Sequence, residues 1–541
     1  MANPNITIDP VTRIEGQLAI EAVAENGVIV DAWSVSKLFR GIEVVLQGRA
    51  AEDAFYVTQR MCGVCPTSHG HAASMAVEAV DRGFTLSNGA RIVRNILEGA
   101  EWVHSHILWF HALAGLDYIN PAKALQANIA DTYALAQDIG IAMSDYGAVQ
   151  ARLAKLVQGG DLSIFTNGWW GIDPVRDPDA ADALYNPDIP AELQLIGVAQ
   201  YLGGLEMQAE AAKVIALIGG KFPHPMTSVA GGTAWMPRPD KIDDVLYRLK
   251  KCSTFIKRNL VPFTFAIAPY YTDELEYGKG CGNFLSWGAF NRPSMAIEDR
   301  YLPAGYIKES AGLSMVTRPD PKNITEDVQR AWYDQEATAQ PFDGKTKIVS
   351  DGDFNFDLDG QYSWGKAPLY AGDPMEAGPL SRLLVAYMEG TSDSSLEVKA
   401  AIDSAMDTLG IDDITKLVSV LGRLAARTIE ADLVCDWTIG WIDELIAELR
   451  TGNAEFWRSY RSRSGEGVGL WEAPRGALAH FIKTSMGRIS NYQIVTPSTW
   501  NLAPRSNDGT PGAMEAALIG TPVKDIERPI EAARVVRSFD P

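Results

Sequence analysis

The sequence runs to 541 residues, with 48 basic against 68 acidic side chains and a net charge of −20. That balance repels polyphosphate, and no basic run offsets it, which excludes nucleic acid as a partner. The opening MANPNITIDPVTRIEG has no charged stretch leading into an apolar one, and no run of about 18 apolar residues follows anywhere. Neither a signal peptide nor a membrane span is therefore expected on this chain, and the expected location is cytoplasmic, or membrane-associated through partners.

Residues 1–40 read as strands: QLAIEAVAENGVIVDAWSVS alternates apolar and polar positions around Glu25-Asn26-Gly27, a hairpin signal. From Asn88 the period becomes helical. The stretches 89–116, 125–157, 191–220 and 414–449 are long and apolar on more than one face, the pattern of helices packed against several others. Between 262 and 382 the chain turns rich in Gly, Pro and Asp, with KIVSDG (347–352) and FNFDLDG (354–360) as short strands. The expected fold is mainly α with β appendages (α+β). A large helical bundle forms one domain over 1–541, with a β-rich segment at 1–40 and a β/loop-rich insertion at 262–382.

Five cysteines occur, three of them (Cys252, Cys281 and Cys435) scattered singly, so no disulfide framework is expected. Cys62 and Cys65 instead form a C-x-x-C in RMCGVCPTSHGH (60–71), followed by His69 and His71. Taken alone, that spacing leaves several readings open. It could be half of a structural zinc site, though the histidines follow too closely for the usual arrangement. It could be a redox pair, but no thioredoxin-like βαβ pattern surrounds it. The cysteines could also simply be buried.

Other segments narrow the choice. RMCGVCPTSH resembles the first cysteine motif, R-x-C-G-x-C-x-x-x-H, of the large subunit of nickel–iron hydrogenases. DPVTRIEGQL (9–18), LFRGIEVVLQGR (38–49), YSWGKAPLYAGDPMEAGPLSR (362–382), EAPRGALAH (472–480), TPSTWNLAPR (496–505) and RSFDP (537–541) also resemble that family, in its order and across the chain. Soft thiolates suit nickel and can bridge to a second metal. The resemblance implies Cys62 as a terminal nickel ligand and Cys65 as a thiolate bridging nickel and iron, the iron carrying carbon monoxide and cyanide. It implies that His69 hydrogen-bonds a cysteine sulfur.

Arg475, between Pro474 and Gly476, would hang over the open metal position, with Asp117 and Asp540 fixing it and Pro474 bordering the cofactor. Ser498 would donate to a cyanide, Glu15 would carry protons outward, and Glu43 would bind Mg2+. His104 and His111, seven apart, read as core histidines, with the subunit interface or a proton path as the alternative, and the Trp-rich NGWWGIDP (167–174) reads as core and interface packing. The family's second motif continues from Asp-Pro into Cys-x-x-Cys, then a histidine, and the sequence here reaches Asp540-Pro541. The expectation is a short further tail with two more nickel thiolates; the alternative is a non-catalytic relative.

The implied activity is reversible heterolytic splitting of dihydrogen, in the uptake direction, with electrons passed to a small subunit that alone carries the iron–sulfur clusters. Five cysteines are too few for such a relay here. Higher oligomers of these heterodimers are expected. An H2-sensing regulatory hydrogenase and a complex I-like relative remain the rival readings.

Overall fold

The computed structural model describes residues 4–159, 184–311, 313, 316–334, 339–349 and 356–541. NGWWGIDP lies outside the described residues. At the N-terminus β1 (Ile6–Ile8), β2 (Leu18–Glu25) and β3 (Val28–Ser36) form an antiparallel sheet in the order β1-β2-β3. The expected hairpin is present. Glu25 pairs with Val28, and Asn26 (φ 52°) with Gly27 (φ 77°) closes the turn. Two left-handed residues match the twist of the flanking strands, which is why Asn-Gly fits there.

The body is helical. α1 (Pro66–Ala79) starts with Pro66 in its first turn, where a missing N–H costs nothing. α2 (Asn88–Leu108) is buried along almost its whole length and leads into a π-helical turn at Trp109–Ala114. α3 (Ala191–Gly219) stops at Gly220, which takes the left-handed conformation. α4 (Pro239–Phe255), α5 (Pro379–Glu389) and α6 (Val420–Arg450) complete the main set. α6 is capped by Ser419, whose hydroxyl accepts the Gly422 N–H at 3.1 Å. α2 lies between α3 and α6, and α4 contacts both of these.

Near the C-terminus β4 (Gly465–Ala473), β5 (Gly476–Ser485) and β6 (Arg488–Val495) make a second antiparallel sheet. They are followed by α7 (Pro497–Asn501) and α8 (Ile530–Ser538).

The structure departs from expectation in four places. The 125–157 stretch is two helices, Ile129–Asp138 and Tyr146–Gly159, because Gly140 turns left-handed (φ 73°) and Asp145 caps the second by accepting from Ala148. FNFDLDG is no strand where described: Asp359 and Gly360 donate back to Asp357, which makes a turn. Of KIVSDG, Ile348 forms a single bridge to Tyr333, and residues 350–352 lie outside the described residues. GVGLW (467–471), a stretch for which no strand is expected, is the centre of β4.

That last difference positions the site. A Cβ on Gly467 would lie 2.1 Å from the Ala76 carbonyl oxygen, and one on Gly469 only 1.9 Å from that of Ala72. The two glycines, two apart on one strand face, let β4 press directly against the α1 backbone. Because backbone cannot step aside, Gly469→Ala is expected to destabilise by about 1–3 kcal/mol. Gly440→Ala, on open surface of α6, should instead be neutral or stabilising by up to about 1 kcal/mol. Denaturant unfolding of the two variants checks this, and equal effects would refute the close-packing account.

Candidate metal centre

Cys62 follows a 3₁₀ turn (Gln59–Met61), and Cys65 immediately precedes α1. The Cys65 backbone N–H donates to the Cys62 sulfur at 3.0 Å, so the loop folds back on itself and sets the two sulfurs side by side. Arg40 ties down the segment before them by donating to the carbonyl oxygens of Arg60 (2.8 Å) and Met61. A hydrogen bond within the pair lowers the Cys62 pKa, with help from the Arg475 charge. The same bond, with burial, raises that of Cys65. Cys62 is the first of the two to become a thiolate.

The cysteines open on a cavity of about 360 Å³ that Glu15, Met61, His69, Arg475, Ser498 and Pro541 also line. Arg475 reaches it from the tip of the β4–β5 hairpin, where Ala473 pairs with Gly476 and only Pro474 and Arg475 form the turn. The hairpin is anchored from below: Arg382 donates to the Ala473 and Pro474 carbonyls at 2.9 and 2.8 Å. Arg382 is itself gripped by Glu430 (2.6 Å) and Glu472 (2.8 Å).

Arg475 is 4% exposed and pairs with Asp540 at 3.0 Å. Despite burial, Asp540 and the two thiols raise its pKa, so it stays a cation. Its Nε has no partner among the described residues. Asp540 also binds Arg427 at 3.1 Å, and burial lowers the Arg427 pKa to about 10.

Glu15 sits at the cavity rim, its backbone N–H donating to the Pro541 carbonyl at 2.9 Å. Part of its side chain reaches solvent, yet the carboxyl is shielded enough that burial raises its pKa, opposed by Arg475 and assisted by Asp540. Glu43 is not in this cavity. It lies in an adjoining one of about 230 Å³ that shares Ser36, Leu38, Arg40, Met61, Thr496, Ser498 and Leu502 with the first. There its carboxylate accepts the Ile494 N–H at 2.8 Å and the Thr346 hydroxyl.

One placement corrects the sequence reading. Asp117 is not paired with Arg475; it binds Arg537 at 2.9 Å, and also Arg13. The π turn after α2 carries it toward α8. His71 hydrogen-bonds Glu98 and packs on Trp471, while His104 and His111 are buried, bonded to Gln208 and to the Ile107 carbonyl. Arg427, His480 and Tyr492 were not singled out as site residues, although His480 stands in the quoted EAPRGALAH.

This arrangement can be set beside known proteins. The profile of the nickel-dependent hydrogenases matches residues 40–541. The chain belongs to the nickel-dependent hydrogenase family. It is 35% identical to the hydrogenase-2 large chain of Escherichia coli K12, over 99% of this chain and 95% of that one. It is 34% identical to the uptake hydrogenase large subunit of Rhodobacter capsulatus, over 100% and 94%. The fold matches the Ni-Fe-Se hydrogenase of Desulfovibrio vulgaris Hildenborough with a TM-score of 0.78 at 31% identity, covering 99% of this chain and 98% of that one. The chain is thus a hydrogenase large subunit, an oxidoreductase acting on dihydrogen. No described helix is long and apolar enough to cross a membrane.

The ion pairs around this hydrogenase's site are unequal in weight. Asp540→Asn leaves two buried guanidinium groups without their counter-charge and should cost about 3–5 kcal/mol. Loss of the exposed Arg238–Asp240 pair should cost less than about 1 kcal/mol. Thermal unfolding of Asp540→Asn and Arg238→Ala measures the difference, and similar melting temperatures would contradict the assigned role of Asp540.

Proposed function

We propose that Cys62 and Cys65 hold a nickel–iron centre, with Cys62 terminal and Cys65 bridging, and that the subunit oxidises dihydrogen to protons and electrons. The observation that carries this reading is the single cavity uniting two adjacent sulfurs, a fixed cation and a carboxyl of raised pKa. The donors suit such a centre: thiolates are soft, and the pair already favours deprotonation at Cys62. Among the described residues no set of three or more His, Cys, Asp or Glu gathers as a metal site, so the two sulfurs are this chain's described contribution.

When bound, the nickel–iron centre supplies the heterolytic splitting of dihydrogen, with iron carrying carbon monoxide and cyanide. The protein groups act around it. Arg475, held by Asp540, presents a permanent, unexhausted donor at Nε to the cavity. Ser498 and Pro474 border the cofactor, and His69 donates to a cysteine sulfur. Glu15, with its raised pKa, takes the proton at its carboxylate and releases it at the rim. Glu43 offers a hard oxygen donor to Mg2+ in the adjoining cavity.

Electrons leave to an iron–sulfur small subunit. Cys252 and Cys435 lie on α4 and α6, and Cys281 lies in a loop, each with its pKa raised by burial. Such thiols are poor cluster ligands. Hydrogen uptake fits relatives named uptake hydrogenases, and we place the enzyme in heterodimers that assemble further and reach a membrane only through partners.

Two variants test the assignment. Cys65→Ser should abolish hydrogen oxidation and deplete nickel and iron measured by elemental analysis; normal turnover would sink the reading. Glu15→Gln should keep both metals while hydrogen/deuterium exchange with solvent slows by about 10²–10⁴. Unchanged exchange would put the proton exit elsewhere.

A further inference from the structure

Behind the cavity, His69, His480 and Tyr492 form a buried row. His69 Nδ1 lies 3.2 Å from His480 Nε2, and His480 Nδ1 lies 2.8 Å from the Tyr492 hydroxyl. None of the three is more than 3% exposed. The fold builds the row from two directions. β5 and β6 pair His480 with Ile494 and Ile482 with Tyr492, which puts His480 and Tyr492 diagonally on one sheet face. α1 contacts β5 and brings His69 to the other end.

Counting hydrogens fixes the direction of these bonds. A phenol carries one hydrogen, and the only partner of this one among the described residues is His480 Nδ1. If His480 Nδ1 carried its own hydrogen, the phenol hydrogen would be buried with no acceptor, an arrangement proteins avoid. Tyr492 is therefore the donor. Both imidazoles are buried and neither is bonded to a carboxylate among the described residues, so each stays neutral with a single N–H. With Nδ1 of His480 accepting, its hydrogen is on Nε2 and is given to His69 Nδ1. The His69 hydrogen is then on Nε2, the nitrogen not engaged by His480, on a ring that lines the cavity with the two cysteines.

We propose that Tyr492 and His480 are positioning residues that lock His69 in its Nε2–H tautomer, making it a fixed hydrogen-bond donor to a cysteine thiolate and not a base for a thiol proton. A donor of fixed polarity draws electron density from the sulfur it faces, and losing what orients it loosens that bond. The proposal rests on the reading of Cys62 and Cys65 as metal-bound thiolates, but its first test does not.

Holoenzyme labelled with ¹⁵N-histidine reports tautomers directly, with His69→Gln and His480→Gln assigning the signals. In the parent enzyme both rings should show Nε2–H, and Tyr492→Phe should move His480 toward a mixture with the Nδ1–H form. An Nδ1–H His69 in the parent, or unchanged tautomers in Tyr492→Phe, would overturn the proposal. A second measurement separates polarity from packing. In His480→Gln the amide oxygen can accept from Tyr492 and the NH2 can donate to His69, whereas His480→Leu fills similar space without either bond. Hydrogen oxidation at equal nickel content should be about 10–100-fold lower in His480→Leu than in His480→Gln. Equal activities would reduce the row to packing and defeat the proposal. Failure of the metal assignment itself would show separately, as nickel retained in Cys65→Ser.

Discussion

The site depends on how closely β4 can approach α1. At Gly467 and Gly469 strand backbone meets helix backbone with no side chain between them, the glycine hydrogens lying against the carbonyl oxygens of Ala76 and Ala72. That contact sets the depth of the β4–β5 hairpin relative to the helix. The cysteine pair lies at the N-terminal end of the helix and Arg475 at the hairpin tip, so their meeting follows from this one packing distance. His69 and His480 meet for the same reason, one from each side of the interface. Substituting these glycines would therefore disturb chemistry as well as stability.

Once the backbone is set, charge fixes the side chains. Arg475, Arg427, Arg382, Arg534 and Arg537 are all buried, and each is met by a carboxylate: Asp540 for the first two, Glu430 and Glu472 for Arg382, Glu274 for Arg534 and Asp117 for Arg537. Desolvation consumes much of what such pairs gain, so their contribution is poor as stability and good as geometry, because each buried carboxylate holds its guanidinium in one place. The same network closes the chain on itself. Arg537 Nε donates to the Thr12 carbonyl at 3.1 Å, and Pro541 accepts the Glu15 N–H. The carboxyl proposed to carry the proton is thus placed by residues more than 500 positions away in sequence.

Much of this was legible beforehand, and the limits are physical. The Asn26-Gly27 turn and the all-round apolar helices were readable because they depend on local conformation and on periodicity. Cys62, Cys65, Glu15, Arg475 and Ser498 were found through resemblance, and the structure does bring them to one cavity. Asp117 was misplaced because its pairing depends on a π turn at Trp109–Ala114 that shifts helical register, and nothing in WFHALA announces such a turn. The β4–β6 sheet was missed because Gly467 and Gly469 imitate a loop. They weaken strand propensity, and their reason is a tertiary contact that no window of sequence contains. His480 and Tyr492 escaped for a related reason: what makes them partners is strand register, set by a hairpin and a shift between Lys483 and Thr484.

The two adjoining cavities divide donor chemistry in a way one pocket could not. Two sulfurs and a guanidinium face the first, with the Glu15 carboxyl only at its rim, the Glu43 carboxylate near Lys366 and Glu326 faces the second, and Ser498 and Arg40 belong to the wall between them. A soft metal and a hard one can then sit close without competing for ligands. Tyr492 connects the two electrostatically. Burial raises its pKa, and the Glu43 charge in the second cavity raises it further. Burial alone keeps the phenol protonated, and a protonated phenol whose only partner among the described residues is His480 Nδ1 has to donate to it. The burial of Tyr492 beside the second cavity therefore helps decide which nitrogen of His69 carries the hydrogen at the first.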